Sequence, residues 1–119
     1  ATGTGVISEA QAKGIMAIGV DSDQSVLAPD TVITSAMKRV DNAVYATVEA
    51  LVNDTLEGGL AVFDINNGGV DIAPTTDLLT DDVIKAVEEV KAKLEAGEIT
   101  VPATAADFEA KYGDVYTLD

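Results

Sequence analysis

The apolar residues of this chain change period along its length, and that alternation restricts the fold more than any single residue does. Ile15–Val20 is a short continuous apolar run, the pattern of a strand buried in a parallel sheet. After a turn at Pro29-Asp30, Val32-Ile33-Thr34 is β-branched and strand-like. From Lys38 to about Leu56 the period becomes helical, with Val40, Ala43, Val44, Val48, Leu51 and Val52 near one face. Leu60–Ile65 and Val70–Ala73 again read as strands, joined by the turn Asn66-Asn67-Gly68-Gly69. Val83, Ile84, Val87, Val90 and Leu94 then form a second amphipathic stripe. Strands alternating with helices predict an α/β layered fold with a mainly parallel sheet.

Local signals punctuate these elements. Gly3 and Gly5 suggest a tight loop leading into a helical stretch, Val6–Lys13, closed by Gly14 at the position after the helix end. Such a loop ordinarily follows a strand, so the natural sequence is expected to extend upstream. Asn53-Asp54 begins the fraying end of the long helix and Gly58-Gly59 stops it. Thr80 is placed to cap the next helix, with Asp81 and Asp82 where carboxylates complement the helix dipole. That helix ends at Gly97, and Ile99–Val101 and Pro102 lead into an acidic tail segment spanning residues 103–119. At 119 residues the chain suits one modest globular unit, without internal repeats or low-complexity tracts.

Charge and missing residue types narrow the chemistry. Twenty-one acidic residues against seven basic ones give a net charge of −14, which repels nucleic-acid phosphate, and no basic stripe offsets it. Cysteine and histidine are both absent. Disulfides, thiolate nucleophiles, imidazole bases, a Ser-His-Asp triad and imidazole metal sites are thereby excluded from this stretch. Any catalysis would rest on carboxylates, lysine or tyrosine. No apolar run approaches the roughly 20 residues that cross a bilayer.

In a parallel α/β sheet, ligands sit beyond the carboxyl ends of the strands. That rule groups Asp21-Ser22-Asp23-Gln24 with the Gly3–Gly5 loop as a candidate ligand edge. A carboxylate at a strand end can accept hydrogen bonds from vicinal sugar hydroxyls. Asp and Ser also favour plain solvated turns, and Asp-x-Asp could take magnesium or calcium, although no further ligands cluster with it. Lys38, at the join of a strand and a helix and near the first helical turn beside Arg39, opposes the helix dipole there, with Asp41 near enough to offset it. The glycine loop could bring backbone N–H groups to a ligand at a helix N-terminus. It is neither a P-loop nor a dinucleotide fingerprint, because the Gly-Lys-Ser/Thr and the third glycine are missing. Tyr45, Phe63, Phe108, Tyr112 and Tyr116 are scattered and form no stacking platform.

Several segments, in order, resemble the basic membrane protein (BMP) family, which includes purine-nucleoside receptors. They are Gly3-Thr4-Gly5, Ala17-Ile18-Gly19-Val20-Asp21-Ser22-Asp23-Gln24, Leu27-Ala28-Pro29-Asp30-Thr31-Val32 and Thr34-Ser35-Ala36-Met37-Lys38-Arg39-Val40-Asp41. Gly68-Gly69-Val70-Asp71-Ile72-Ala73-Pro74 and Gly97-Glu98-Ile99-Thr100-Val101-Pro102 complete the set. Thr2 stands where the family's loop has a glycine. The resemblance implies the C-terminal part of a type I periplasmic-binding-protein fold, a three-layer α/β/α unit of a two-lobed receptor whose N-terminal lobe lies upstream. In it, Val32–Leu56 would cross to that lobe and Leu60–Ala73 would return, leaving the long helix without its partner sheet. It also implies that Asp21 contacts ribose hydroxyls and Lys38 reaches the same sugar, with weaker assignments for Asp23, Gly3, Thr4 and Gly5. The expected function is nucleoside capture for an ABC importer, without catalysis, cofactor or metal. The expected partners are the permease and ATPase subunits, and the expected place is outside the cytoplasm as a periplasmic or surface lipoprotein. A sugar or other solute, a ligand-sensing regulator on the same fold, and a magnesium-dependent carboxylate enzyme are the alternatives. The family's base-sandwiching aromatics have no counterpart in these residues.

Overall fold

The computed structural model describes residues 2–75 and 77–113. Helix α1 (Thr2–Lys13) leads to strand β1 (Ala17–Asp21), a single 3-10 turn (Ser25–Leu27) and strand β2 (Val32–Lys38). Helix α2 (Val40–Val52), strand β3 (Val70–Ile72), helix α3 (Asp81–Glu95) and helix α4 (Ala105–Tyr112) follow. The sheet has the order β1-β2-β3. β1 and β2 are parallel, with Gly19 opposite Ser35 and Asp21 opposite Met37. β3 runs antiparallel to β2, with Met37 opposite Asp71 and Lys38 opposite Val70. The sheet is therefore mixed, with its one parallel pair carrying the candidate ligand edge.

Helix α1 closes as its glycine predicts. Gly14 has φ 65°, and the N–H of Ile15 reaches back to the Ala10 carbonyl at 3.0 Å. One face of α1 packs on the sheet, burying Ile7 and Ala10. Ile7, Ala28 and Val32 form the core cluster, against which Ala17 packs. The centre of the sheet is more polar: Thr34 and Ser35 on β2 are buried, as are Ser25 and Thr31 before it. Helices α2 and α3 contribute no buried residue. Val44, Val48 and Leu51 on α2 are all more than half exposed, so its apolar stripe has no cover among the described residues.

Four expectations from sequence are corrected. Gly3-Thr4-Gly5 is not a loop but part of the first turns of α1, which begins at Thr2. Glycine is tolerated within a helix at a cost of roughly 0.5–1 kcal/mol relative to Ala, chiefly in backbone entropy. The long helix stops at Val52 rather than at Gly58-Gly59. Asn53 caps it, Asp54 adopts φ 54°, and the N–H of Thr55 turns back to the Ala50 carbonyl.

Leu60–Ile65 forms no strand. Its backbone groups are taken by local side chains, because Asn67 accepts from the Asp64 N–H and donates to the Val62 carbonyl, both at 2.8 Å. An Asp/Asn-rich turn of this kind offers the chain an alternative to a ladder. Lys38 is the last residue of β2 and not in a helical turn, because pairing with β1 and then β3 keeps the chain extended through Lys38. Within the acidic tail segment, α4 is capped by Thr104, whose hydroxyl accepts from the Asp107 N–H. Tyr116 lies outside the described residues.

Candidate ligand-binding edge

The chain leaves β1 through a tight reversal. The Ser22 N–H donates to the Val20 carbonyl at 2.9 Å across Asp21, whose φ is 70°. A three-residue turn of this hand is rare, and Asp is among the few residue types that enter the left-handed region. Holding it there costs on the order of 1–3 kcal/mol, which the surrounding structure must offset.

The offset is visible. Gln24 Oε1 accepts from the Val20 N–H at 3.0 Å, and the Gln24 N–H donates to Ser35 Oγ at 3.0 Å. Ser35 is fully buried, and Gly19 opposite it leaves the room it needs. A Cβ at position 19 would stand 2.3 Å from Ser35 Oγ and 2.9 Å from Gln24 Oε1. The segment Gly19–Gln24 is thus a built turn on the neighbouring strand, which the plain solvated reading of its composition does not describe.

This turn sets Asp21 beside Lys38. Lys38 Nζ lies 3.2 Å from Asp21 Oδ1, with the two side chains 64% and 63% exposed. An exposed pair adds little to stability, since solvent screens the attraction and two long side chains lose freedom. What it does provide is an acceptor and a multiple donor side by side at the carboxyl ends of adjacent parallel strands. A pair of vicinal hydroxyls presents the complementary set.

Asp23 is used differently. It accepts from the Thr75 hydroxyl at 2.6 Å and from the Ser25 N–H at 3.0 Å. The Thr75 hydroxyl first, then the Ser25 N–H and hydroxyl, hold its carboxyl below the ordinary carboxylate range. Asp23 therefore ties the β1–β2 connection to the segment after β3, and its oxygens are already engaged. Asp21 and Asp23 turn to separate partners and do not converge on one point. Among the described residues no group of three or more acidic side chains is placed to hold a metal ion.

Gly3-Thr4-Gly5 lies in the first turns of α1, which packs against β1. Gly3, Thr4 and Gly5 are exposed, and a Cβ at either glycine would meet nothing within 4 Å. No described side chain closes over the turn.

Four contributors were not singled out from sequence as site residues. Ser35 and Thr75 act across 11 and 52 residues, and no local pattern signals such contacts. Arg39 and Asn42 are the other two. Arg39 forks onto Asp41 through Nε and Nη2, and Nη2 also reaches Asn42 Oδ1 at 3.3 Å. Asp41 thus offsets Arg39, not Lys38, and the Arg39 guanidinium holds its carboxyl down to about 2. The run Arg-x-Asp-Asn at a strand-to-helix junction is the one signal that could have pointed there.

An apolar cavity lies elsewhere, between α3 and the sheet. It measures about 670 Å³ and is lined by apolar side chains such as Met37, Ile72, Val87 and Leu94. At its margin Lys91 Nζ grips Asp71 through both oxygens, at 3.1 and 3.0 Å. Apart from that pair and Asp82 its lining is apolar, as in a gap between layers.

The family model described as ABC transporter substrate-binding protein PnrA-like (Bmp) matches residues 1–105. Basic membrane protein C of Borreliella burgdorferi (strain N40) is 30% identical over 112 residues, covering 91% of this chain and 32% of that protein. The transcriptional activator protein med of Bacillus subtilis (strain 168) is 34% identical over 95 residues, covering 79% of this chain and 30% of that protein. Among solved structures, a transcriptional activator of the comK gene from Bacillus halodurans superposes with a TM-score of 0.75 at 21% identity. It covers 83% of this chain and 35% of that one. An ABC transporter solute-binding protein from Aeropyrum pernix K1 gives 0.65 at 24% identity, covering 89% and 39%. The described elements are thus part of a periplasmic-binding fold, and the chain spans about a third of the length of the curated relatives it matches.

Proposed function

This chain belongs to the Bmp family of PnrA-like ABC transporter substrate-binding proteins, and from that premise we propose that the protein containing it captures a nucleoside for an ABC importer. The family is one of binding proteins and not of enzymes. The ligand is held by its ribose: Asp21 accepts from the vicinal hydroxyls while Lys38 donates to the same sugar. The supporting observation is the 3.2 Å pair at the strand ends, held in a strained turn where its contribution to stability is small. Gly3, Thr4 and Gly5 supply exposed N–H groups from the first turns of α1, and Asp23 keeps the ligand edge in shape.

Capture works by differential contact. A ligand that touches both this unit and the remainder of the protein favours the closed arrangement by the contacts made only there. The uncovered stripe of α2 fits a unit completed by that remainder. The permease and ATPase subunits are the partners, and the site of action is outside the cytoplasm. Relatives in Borreliella are named basic membrane proteins, and among the described residues no helix is long and apolar enough to cross a membrane.

A second reading, a ligand-sensing regulator, is favoured by the likeness to two proteins named transcriptional activators. Upstream sequence separates the two: a DNA-binding segment marks the regulator, a lipidated cysteine after a signal peptide the receptor. Calorimetric titration of the full-length protein with inosine, guanosine, adenosine, cytidine and free ribose tests the ligand. Saturable nucleoside binding that disappears in Asp21→Ala is the expected result. Absence of heat with every one of them, from folded and ligand-free protein, removes the nucleoside.

A further inference from the structure

Lys38 is the last residue of β2, and the direction of its side chain depends on how the chain turns at the next residue. Arg39 caps α2 without a side-chain cap bond of its own. The turn is held instead from outside the helix. The Arg39 N–H donates to the Gly69 carbonyl at 2.9 Å, and Asn42 Nδ2 donates to the Gly68 carbonyl at 2.8 Å. Asn42 Oδ1 at the same time accepts from the Arg39 guanidinium. One amide thus joins the end of β2, the first turn of α2 and the chain entering β3. Gly68 has φ 72°, and a Cβ there would come within 3.2 Å of Asn42 Nδ2, so the junction is fitted closely.

We propose that Asn42 is a positioning residue for the ligand edge, fixing through Arg39 the exit of β2 so that Lys38 stays beside Asp21. This rests on the ligand role proposed above for Asp21 and Lys38. Among the described residues no hydrogen bond joins Asn42 to either of them. An Asp–Lys pair with both side chains about two-thirds exposed cannot hold its own geometry, because solvent screening and side-chain entropy favour its opening. Its alignment must come from the backbone beneath it. At Asp21 the turn through Gln24 and Ser35 does this, and at Lys38 the only side chain clamped to both flanking segments is that of Asn42 among the described residues.

Asn42→Asp isolates the effect, since it keeps an acceptor for Arg39 and removes the donor to Gly68. In the full-length protein carrying ¹³C-methylated lysines, the Lys38 resonance is assigned by its loss in Lys38→Arg. Asp21→Asn is expected to shift that resonance, and in the Asn42→Asp background the shift should fall by at least about half, as for coupled residues. Titration with inosine and guanosine should show roughly fivefold weaker binding for Asn42→Asp, with no further loss when Lys38→Met is already present. Arg39→Lys, which keeps the charge and loses the fork, is the second variant should Asn42→Asp fail to fold. A lower Tm with the Lys38 shift unchanged overturns the proposal and makes Asn42 merely structural. Should the wild-type protein bind no nucleoside, the ligand reading falls by itself, and the Lys38 resonance still decides the positioning role.

Discussion

Lys38 Nζ stands 3.2 Å from Asp21 Oδ1, across the carboxyl ends of two parallel strands, and Asp21 reaches that position only by adopting a φ of 70°. The sequence places the two residues 17 positions apart, and the sheet register brings them together: Asp21 lies opposite Met37, one residue before Lys38. Strain at one partner and exposure at both leave the pair little part in stability, which suits the ligand role proposed for it.

The pair should therefore separate stability from binding. Asp21→Gly removes the left-handed penalty and should leave Tm equal or higher, while weakening nucleoside binding by roughly 10- to 100-fold, the scale of a lost hydrogen bond to a charged group. Lys38→Met should weaken binding on the same scale with little change in Tm. Thermal melts and calorimetry on the same samples check this. A fall in Tm that tracks the loss of affinity would argue against a ligand role.

Gly19→Ala should damage the fold at the ligand edge. The added methyl meets Ser35 Oγ at 2.3 Å and Gln24 Cβ at 2.9 Å, and Ser35 is fully buried and cannot swing away. Overpacking of this kind costs about 1–3 kcal/mol. Urea unfolding should show a lower midpoint at an unchanged slope. Unaltered stability would mean that Ser35 does not hold the Gln24 N–H in solution.

Acid sensitivity follows from depressed carboxyls. Asp23, held low chiefly by the Thr75 hydroxyl, contributes stability that is complete above the unfolded value of 3.8 and is lost as pH falls through its lower folded value. Asp41, lowered to about 2 by Arg39, does the same between 3.8 and about 2. Thr75→Val and Asp41→Asn should each flatten the fall of stability with decreasing pH below 3.8, relative to wild type. Denaturant midpoints measured from pH 5 to pH 2 give the difference curve. A variant curve parallel to wild type would show that the contact is absent.

Lys91→Met should release Asp71. Lys91 lowers the Asp71 carboxyl through two contacts, first as hydrogen-bond donor and also as a charge, against some desolvation. Removing it should raise the Asp71 titration toward the ordinary value of 3.8, as followed by carboxyl ¹³C NMR. Since this contact ties α3 to β3, hydrogen exchange in α3 should speed up as well. An unmoved Asp71 titration would place α3 away from the sheet in solution.

Local physics made much of this readable in advance. Gly14 at φ 65° ends α1, and Thr80 caps α3 by accepting from the Val83 N–H, as their positions in the sequence predict. Capping, a left-handed glycine and an amphipathic stripe are decided within about one helical turn. The ordered motifs from Gly3 to Pro102 likewise carried the family, which the match over residues 1–105 bears out.

What tertiary structure decided were the partners. Leu60–Ile65 has the composition of a strand, yet Asn67 and Asp64 satisfy its backbone locally. Ser35-Ala36-Met37-Lys38 lacks a distinct strand pattern, yet two neighbouring strands hold it extended. Asp23 looks like a free carboxylate until Thr75 arrives from 52 residues away. The sequence by itself thus determined the elements whose hydrogen bonds close within a few residues, and the candidate residues of the ligand edge. Which of those residues pair across the strand ends and which brace the turn beneath them was settled by strand pairing, because a ladder or a buried hydroxyl contact depends on a partner that no local window contains.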